Sequence, residues 1–410
     1  MPCDGNASNS GKKQTYPHVP VQADHFMRIL LTLHHAIDAN RGAAGATTRL
    51  AEALRRCGHH VDLYSFEDAF KGAATSVLVS AQFPTRFALH VAKAAAGYDI
   101  IDASSGDAWL WASLGRPGSN SNQALIFRSH GLEHTADRQL RAEAKDRRRR
   151  LRKRYYVYHG GIRLWEVTQS LRLADAAILL NASDRRFAVE ELRAEERKVA
   201  VIPNGLPDTF FEPIPHRDGN NLEIAFIGTW SERKGVDVLP AMLELLHRRN
   251  IEVRLKTLGT GLATDAVLSH FPQHLHTRIA NVAAYRNDEL IELLHQSSIL
   301  VLPSRSEGFS LALIEAMARG LVPLTTAAGA AGEVIDHGTN GFILPMGQPE
   351  RFVEAVARLH ILPTELHAMQ CAARSAVLKY RWDDIARRTV SVYTAALEER
   401  RRARQPAAAS

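Results

Sequence analysis

Cysteine is scarce in this chain: three residues in 410, at positions 3, 57 and 371. Odd in number and far apart, they exclude a disulfide framework and favour a reducing compartment. Long apolar runs are missing as well, and nothing approaches the ~18 uninterrupted apolar residues of a bilayer-spanning helix. Residues 1–26 (MPCDGNASNSGKKQTYPHVPVQADHF) lack the apolar segment of a secretory signal and read as a flexible polar extension. These absences make a cytoplasmic location the expectation. Helix-turn-helix, zinc-finger and RNP signatures are absent too, so no nucleic-acid partner is expected despite a net charge of +7. What is present is an ordinary soluble composition, 45% hydrophobic and 23% charged. A chain of 410 residues suits two or three domains.

From Met27 onward, short apolar runs alternate with longer helical patterns. Strand candidates are 27–33, 60–65, 100–103, 124–129, 176–180 and 199–203. After the first comes the small-residue stretch 41–45, then a helix predicted over Thr47 to Cys57 and closed by Gly58. Such alternation implies a parallel sheet covered by helices on both faces. Residues 206–221 (LPDTFFEPIPHRDGNN) hold three prolines and read as a linker. Strand candidates then resume at 224–228, 253–259, 299–303, 322–326 and 342–345. The predicted fold is α/β, with Rossmann-like domains over 27–205 and 222–380 facing a central cleft.

The richest chemistry lies in ILVLPSRSEGFSLALIEAMARGLVPLTT, residues 299–326. A strand runs into a loop holding Glu307, Gly308 and Phe309, and a helix is predicted from Ser310 to Gly320. Leu313, Ile314, Met317 and Leu321 mark its buried face. The N–H groups from Gly308 through Phe309 and Ser310 to Leu311, with the helix dipole, can hold a phosphate. Glu307 on the loop and Glu315 in the helix flank that anion site, and a fixed carboxylate pair suits sugar hydroxyls.

This segment resembles the GT-B glycosyltransferases, specifically the large family-4-like (group 1) set, whose E-x7-E signature appears as Glu307 and Glu315 in SEGFSLALIEAMARG. The resemblance continues through 329–333 (GAAGE) and 337–345 (HGTNGFILP), and upstream through ADAAILLNASDRR and VIPNGLPDTFF, covering residues 27–400. It implies a GT-B fold in which a nucleotide diphosphate sugar is the co-substrate, held by the C-terminal half. The acceptor, a glycan, lipid-linked or small molecule, would sit on the N-terminal half, and the anomeric configuration would be retained. A C-terminal helix over 381–400 is expected to cross back to the first domain, followed by a tail over 401–410.

The resemblance also assigns roles. Glu307 would orient the donor sugar and Glu315 the ribose hydroxyls. In FIGTWSERKG (226–235) the family usually reads G-R-L-x-x-x-K-G; Gly228, Lys234 and Gly235 match, whereas Thr229 stands at the arginine position. Arg233 is expected to supply that charge from another direction. No Asp-x-Asp occurs, so the expectation is no metal and no cofactor, with Lys234, Arg233 and the helix start stabilising the leaving diphosphate. His130, in FRSHGLEH (127–134), matches a histidine near the donor sugar, and Glu133 and His134 are expected on the acceptor side. Gly45 resembles a glycine-rich loop against the donor, and Gly259 and Val282 mark loops toward the base. A GT-B nucleotide-sugar epimerase, or a non-catalytic sugar- or membrane-binding relative, is the alternative. Finally, seven of the eight residues 147–154 (RRRRLRKR) are basic, beside Tyr155, Tyr156 and Trp165. Such a run suits an anionic acceptor or a peripheral contact with the inner face of a membrane.

Overall fold

The computed structural model describes residues 26–34, 42–72, 76–120, 122–145, 151–214 and 222–403. Nearly all of the N-terminal extension lies outside them, as do 147–150 of the basic run and 215–221 of the linker. The first domain holds β1 (Arg28–Thr32), β2 (His60–Tyr64), β3 (Ile100–Ser104), β4 (Ala124–Arg128), β5 (Ala176–Leu179) and β6 (Val199–Val201). They form one parallel sheet in the order β2-β1-β3-β4-β5-β6. The second holds β7 (Leu222–Ile227), β8 (Val253–Leu258), β9 (Ile279–Val282), β10 (Ile299–Leu302), β11 (Val322–Thr325) and β12 (Phe342–Ile343). Their order is β12-β11-β10-β7-β8-β9, again parallel. The two-domain α/β fold expected from the alternation is thus present.

Continuous apolar runs make these strands. All five residues of β3 and of β4 are buried, as strands covered on both faces require. Each sheet has two apolar layers, one per face. Each also reverses its strand order once, between β1 and β3 and between β7 and β10. Loops leaving neighbouring strands there run in opposite directions, and the gap between them is where parallel sheets bind ligands.

Four details depart from the sequence reading. The first helix spans Gly42–Arg56, so Gly45 is buried inside a helix and not on a loop. Ala43, Ala44 and Ala46 around it are strong helix formers and outweigh the cost of one glycine. Val282 ends a strand, β9, that the sequence does not signal because only Ile279 of its four residues is buried. The described part of the linker is no free tether: Leu206 and Phe210 are buried in the second domain's core. The Leu206 N–H also donates to Tyr380 O at 2.6 Å. Finally, the C-terminal helix spans Trp382–Arg402, two residues into the expected tail.

That helix leaves the second domain and packs on the first, where Trp382, Ile385 and Tyr393 join Ile29, Leu50 and Ile126. The crossing is tight, since a Cβ on Gly205 would stand 2.8 Å from the Trp382 ring. Beneath it, Arg128 of β4 bonds Asp102 of β3 at 2.9 and 2.6 Å, and the Tyr393 hydroxyl donates to Asp102 at 2.5 Å. Among the described residues no helix is long and apolar enough to cross a membrane.

Candidate active site

The site forms at the strand-order reversal of the second sheet. β7 ends at Ile227, and the chain turns through Gly228 at φ +143° into the loop that carries Arg233 and Lys234. Gly235 then takes φ +70°, and a Cβ there would lie 2.0 Å from the Pro303 carbonyl oxygen. Only glycine lets this loop cross so closely over the exit of β10. The crossing sets both cations above Ser304 to Glu307, although 73 residues separate Lys234 from Glu307.

Lys234 Nζ donates to Glu307 Oε1 at 2.6 Å, and Arg233 Nη1 donates to Glu307 Oε2 at 3.2 Å and to Ser306 O at 2.9 Å. The Ser304 hydroxyl adds a bond to Glu307 Oε1 at 2.8 Å. Burial alone would raise the Glu307 carboxyl, but Lys234, then Arg233, and the bonds from Lys234 and Ser304 hold it below its ordinary value. It is an ionised carboxylate pinned between two cations. Arg233 lines the cleft, while Thr229 is exposed beyond Gly228 and does not line it.

The next turn brings the domains together. A Cβ on Gly308 would stand 2.6 Å from the His130 carbonyl oxygen and 2.7 Å from Gly131 Cα. This glycine-on-glycine contact lets the loop after β4 touch the loop after β10. His130 Nε2 lies 3.2 Å from Thr47 Oγ1 on the first helix, which holds the imidazole at the cleft wall. Asn181 donates to Gly308 O at 3.1 Å, and the Ala182 N–H donates to Glu333 at 2.7 Å, both across the domain boundary.

The helix Leu311–Ala318 starts at the cleft, capped by Ser310, whose hydroxyl accepts from the Leu313 N–H. Its first turn has N–H groups with no intrahelical acceptor, ready for an anion. Glu315, one turn in, is buried at 5% exposure. Burial pushes its carboxyl up to about 7, against the pull of Arg49 and Lys234. Arg49 comes from the first helix, on the opposite domain. Burial, reinforced by Glu315, likewise pushes the neighbouring Tyr285 phenol up.

The elevated Glu315 carboxyl makes stability pH-dependent. A group that ionises near 7 in the folded chain and at 4.5 when unfolded favours the folded state at low pH, and loses that contribution as pH rises through 7. Between about pH 5 and 8, the native chain should lose about 2–3 kcal/mol relative to Glu315→Gln in urea unfolding. Parallel stability curves for the two proteins would contradict this.

One interdomain cleft of about 310 Å³ takes in His130, Gly228, Arg233, Lys234, Glu307, the turn Gly308, Phe309, Ser310 and Leu311, and Glu315. Other expected residues lie elsewhere. Gly259 and Val282 sit behind the cleft; the Gly259 N–H donates to Val282 O at 2.8 Å, and a Cβ on Gly259 would meet the Tyr285 ring at 3.0 Å. Tyr285 and Asn287 line the cleft in their place. Gly45 is replaced at the wall by Gly42 and Ala43. His134 turns inward to Thr168 at 3.0 Å and packs on Phe187, with burial lowering its pKa. Glu133 faces Arg163 at 3.6 Å, in a cluster with Asp107 and His34 beyond the C-terminal ends of β3 and β1. Arg49, Asn204, Tyr285 and Asn287 are not among the expected site residues, although the loop from Val282 that carries Tyr285 is the one expected toward the base. Among the described residues no group of three or more His, Cys, Asp or Glu is placed to hold a metal ion.

Two facing Rossmann-like domains with a cation–carboxylate site at the strand-order reversal define the GT-B class. Comparison with known proteins gives the family. Residues 40–210 match the profile of "Glycosyltransferase Family 4" and residues 221–361 that of "Glycosyl transferases group 1". The chain belongs to the group 1 glycosyltransferases of GT-B fold. It is 29% identical over 269 residues to a D-inositol 3-phosphate glycosyltransferase of Streptomyces griseus, covering 57% of this chain and 57% of that relative's length. Sucrose-phosphate synthase of Thermosynechococcus elongatus shares the fold with a TM-score of 0.73 at 17% identity, over 91% of this chain and all (100%) of that one. HepE of Anabaena, solved with UDP-glucose, shares it with a TM-score of 0.64 at 15% identity, over 90% of this chain and 100% of the other.

Proposed function

We propose that the chain transfers a sugar from a nucleotide diphosphate sugar to an acceptor, with retention of anomeric configuration and without a metal. The observation that carries this reading is the Arg233–Lys234–Glu307 contact at the mouth of the helix Leu311–Ala318, one turn from buried Glu315. The diphosphate enters against the helix start and takes over the two cations. Glu307, released from them, turns its carboxylate to hydroxyls of the donor sugar, and Glu315 accepts from the ribose. As the bond to the sugar breaks, charge grows on the leaving phosphate, and Lys234 and Arg233 stabilise it in a water-poor cleft. No enzyme nucleophile is assigned: the leaving phosphate takes the acceptor's proton on the same face of the sugar. The acceptor approaches from the first domain, past His130 and the cluster holding Glu133. UDP-glucose in the HepE structure and the phosphorylated inositol in the Streptomyces relative's name support these substrate classes. The basic run 147–154 extends the reading to a peripheral membrane contact at the cytoplasmic face.

The test is nucleotide release from a panel of UDP-, GDP- and ADP-sugars in EDTA, with and without candidate acceptors. Release that needs an acceptor supports transfer. An epimerase would convert donor alone, and abolition by EDTA would overturn metal independence. Arg233→Ala should lower turnover, though by less than loss of buried Lys234, because Arg233 is half-exposed. Wild-type turnover in Arg233→Ala would show that this arginine does not stand in for Thr229.

A further inference from the structure

Of the exposed large apolar side chains, four crowd into one short stretch: Tyr156, Val157, Ile162 and Trp165, with Val157 at 65% and Trp165 at 50% exposure. Their backbone is unusual. Between the helices Lys153–Val157 and Arg163–Leu173 the chain makes a single π turn, Tyr158–Ile162, in which the Arg163 N–H donates to Tyr158 O. In an α-helix, residues five apart point about 140° away from one another. A π turn bonds each residue to the fifth along and stacks such pairs on one side. Val157 and Ile162 therefore align, and Trp165, three residues on, extends the ridge. The opposite side is core: Val167 and Leu171 pack in the first domain. Gly161 allows the turn, because a Cβ there would stand 2.8 Å from Tyr156 O.

Arg152, Lys153 and Arg154, all exposed, precede the ridge directly. Aliphatic side chains and tryptophan partition to the boundary between headgroups and acyl chains, while neighbouring cations meet lipid phosphates. The same segment also reaches the acceptor side, since Arg163, one residue after Ile162, points inward to Glu133 at 3.6 Å and Asp107 at 3.7 Å. We propose that residues 152–165 dock the first domain on an anionic lipid bilayer, with the π turn building the apolar ridge that enters it. The docking sets the acceptor-side cluster against the membrane, where a lipid-linked acceptor would stand. That consequence rests on the transfer reading above; the docking itself does not.

The full chain is co-sedimented with phosphatidylglycerol-containing and pure phosphatidylcholine vesicles at low and high salt. Wild type should bind the anionic vesicles at least about tenfold more tightly at low salt. Val157→Ser with Ile162→Ser should lose about tenfold at both salt concentrations, because apolar burial is lost. Replacing Arg152, Lys153 and Arg154 by serine should remove only the salt-sensitive part. Brominated acyl chains should quench fluorescence in wild type but not in Trp165→Phe. Equal binding by wild type and the double variant would overturn the proposal, as would the absence of any anionic preference. A concentration-dependent dimer that the double variant dissolves, without vesicle binding, would assign the ridge to a second copy. Each variant is also titrated with the nucleotide-sugar panel in a thermal shift. A retained donor response with lost vesicle binding supports docking as a separate property. Vesicle binding with no donor response in any protein would overturn the transfer reading and leave the docking standing.

Discussion

Lys234→Ala is expected to lower turnover by about 10²–10³-fold, the usual loss when a preorganised charge-stabilising group is removed from a closed site. Lys234 is only 9% exposed, and its ammonium already sits 2.6 Å from a carboxylate, so little reorganisation is needed when the diphosphate arrives. The fold should tolerate the change better than the chemistry, since Glu307 keeps its bonds from Arg233 and Ser304. Paired measurements of kcat and of the thermal midpoint separate the two. A variant that turns over like wild type would remove Lys234 from leaving-group stabilisation. A loss of activity that only tracks unfolding would make it structural.

Asp102→Asn should destabilise the protein by about 3–5 kcal/mol, because it leaves a buried guanidinium without its counter-ion. Arg128 and Asp102 are 6% and 2% exposed, within two neighbouring central strands, and Tyr393 above them is completely buried. The asparagine keeps the shape but loses the charge and turns one acceptor oxygen into an NH2 donor facing Arg128 and Tyr393, so a cavity does not explain the loss. Tyr393→Phe removes one bond to the same carboxylate and should cost about 1.5–3 kcal/mol. Urea unfolding measures both. Near-native stability in Asp102→Asn would mean that the pair carries no net weight. Tyr393 lies on the helix that returns from the second domain, so the three residues also tie the domains' shared element to the first sheet.

The parts of this molecule legible in sequence are those written in local pattern. All eleven strand candidates overlap observed strands to within two residues at both ends, β12, trimmed to Phe342–Ile343, being the shortest, and only β9 had no candidate. Apolar runs between helical stretches have no competing reading in a parallel sheet. Glu307, Glu315 and Lys234 were legible because a motif carries them. Their contact was not, because it depends on β7 and β10 becoming neighbours across 73 residues. Arg49 shows the opposite case: nothing in its helix marks one arginine as facing another domain's carboxylate. The Asp102–Arg128–Tyr393 group escaped for the same reason, since charges inside apolar strands give no clue to their partners. Gly45 misled because glycine suggests a loop, whereas the surrounding alanines sustain the helix. His134 misled because proximity to His130 in sequence says nothing about which side of the helix Glu133–Lys145 it takes.

The central claim is that a nucleotide sugar binds between the cations at Arg233 and Lys234 and the buried carboxylate of Glu315, without a metal. Isothermal calorimetry of the full chain in EDTA, against the panel of nucleotide sugars, tests it most directly. At about pH 8, where the Glu315 carboxyl is ionised, the expected result is binding of at least one donor by wild type, weakened by about 1–3 kcal/mol in Glu315→Ala, the cost of losing a hydrogen bond to a charged group. Failure of every donor to bind wild type in EDTA, or equal affinity in Glu315→Ala, would contradict it.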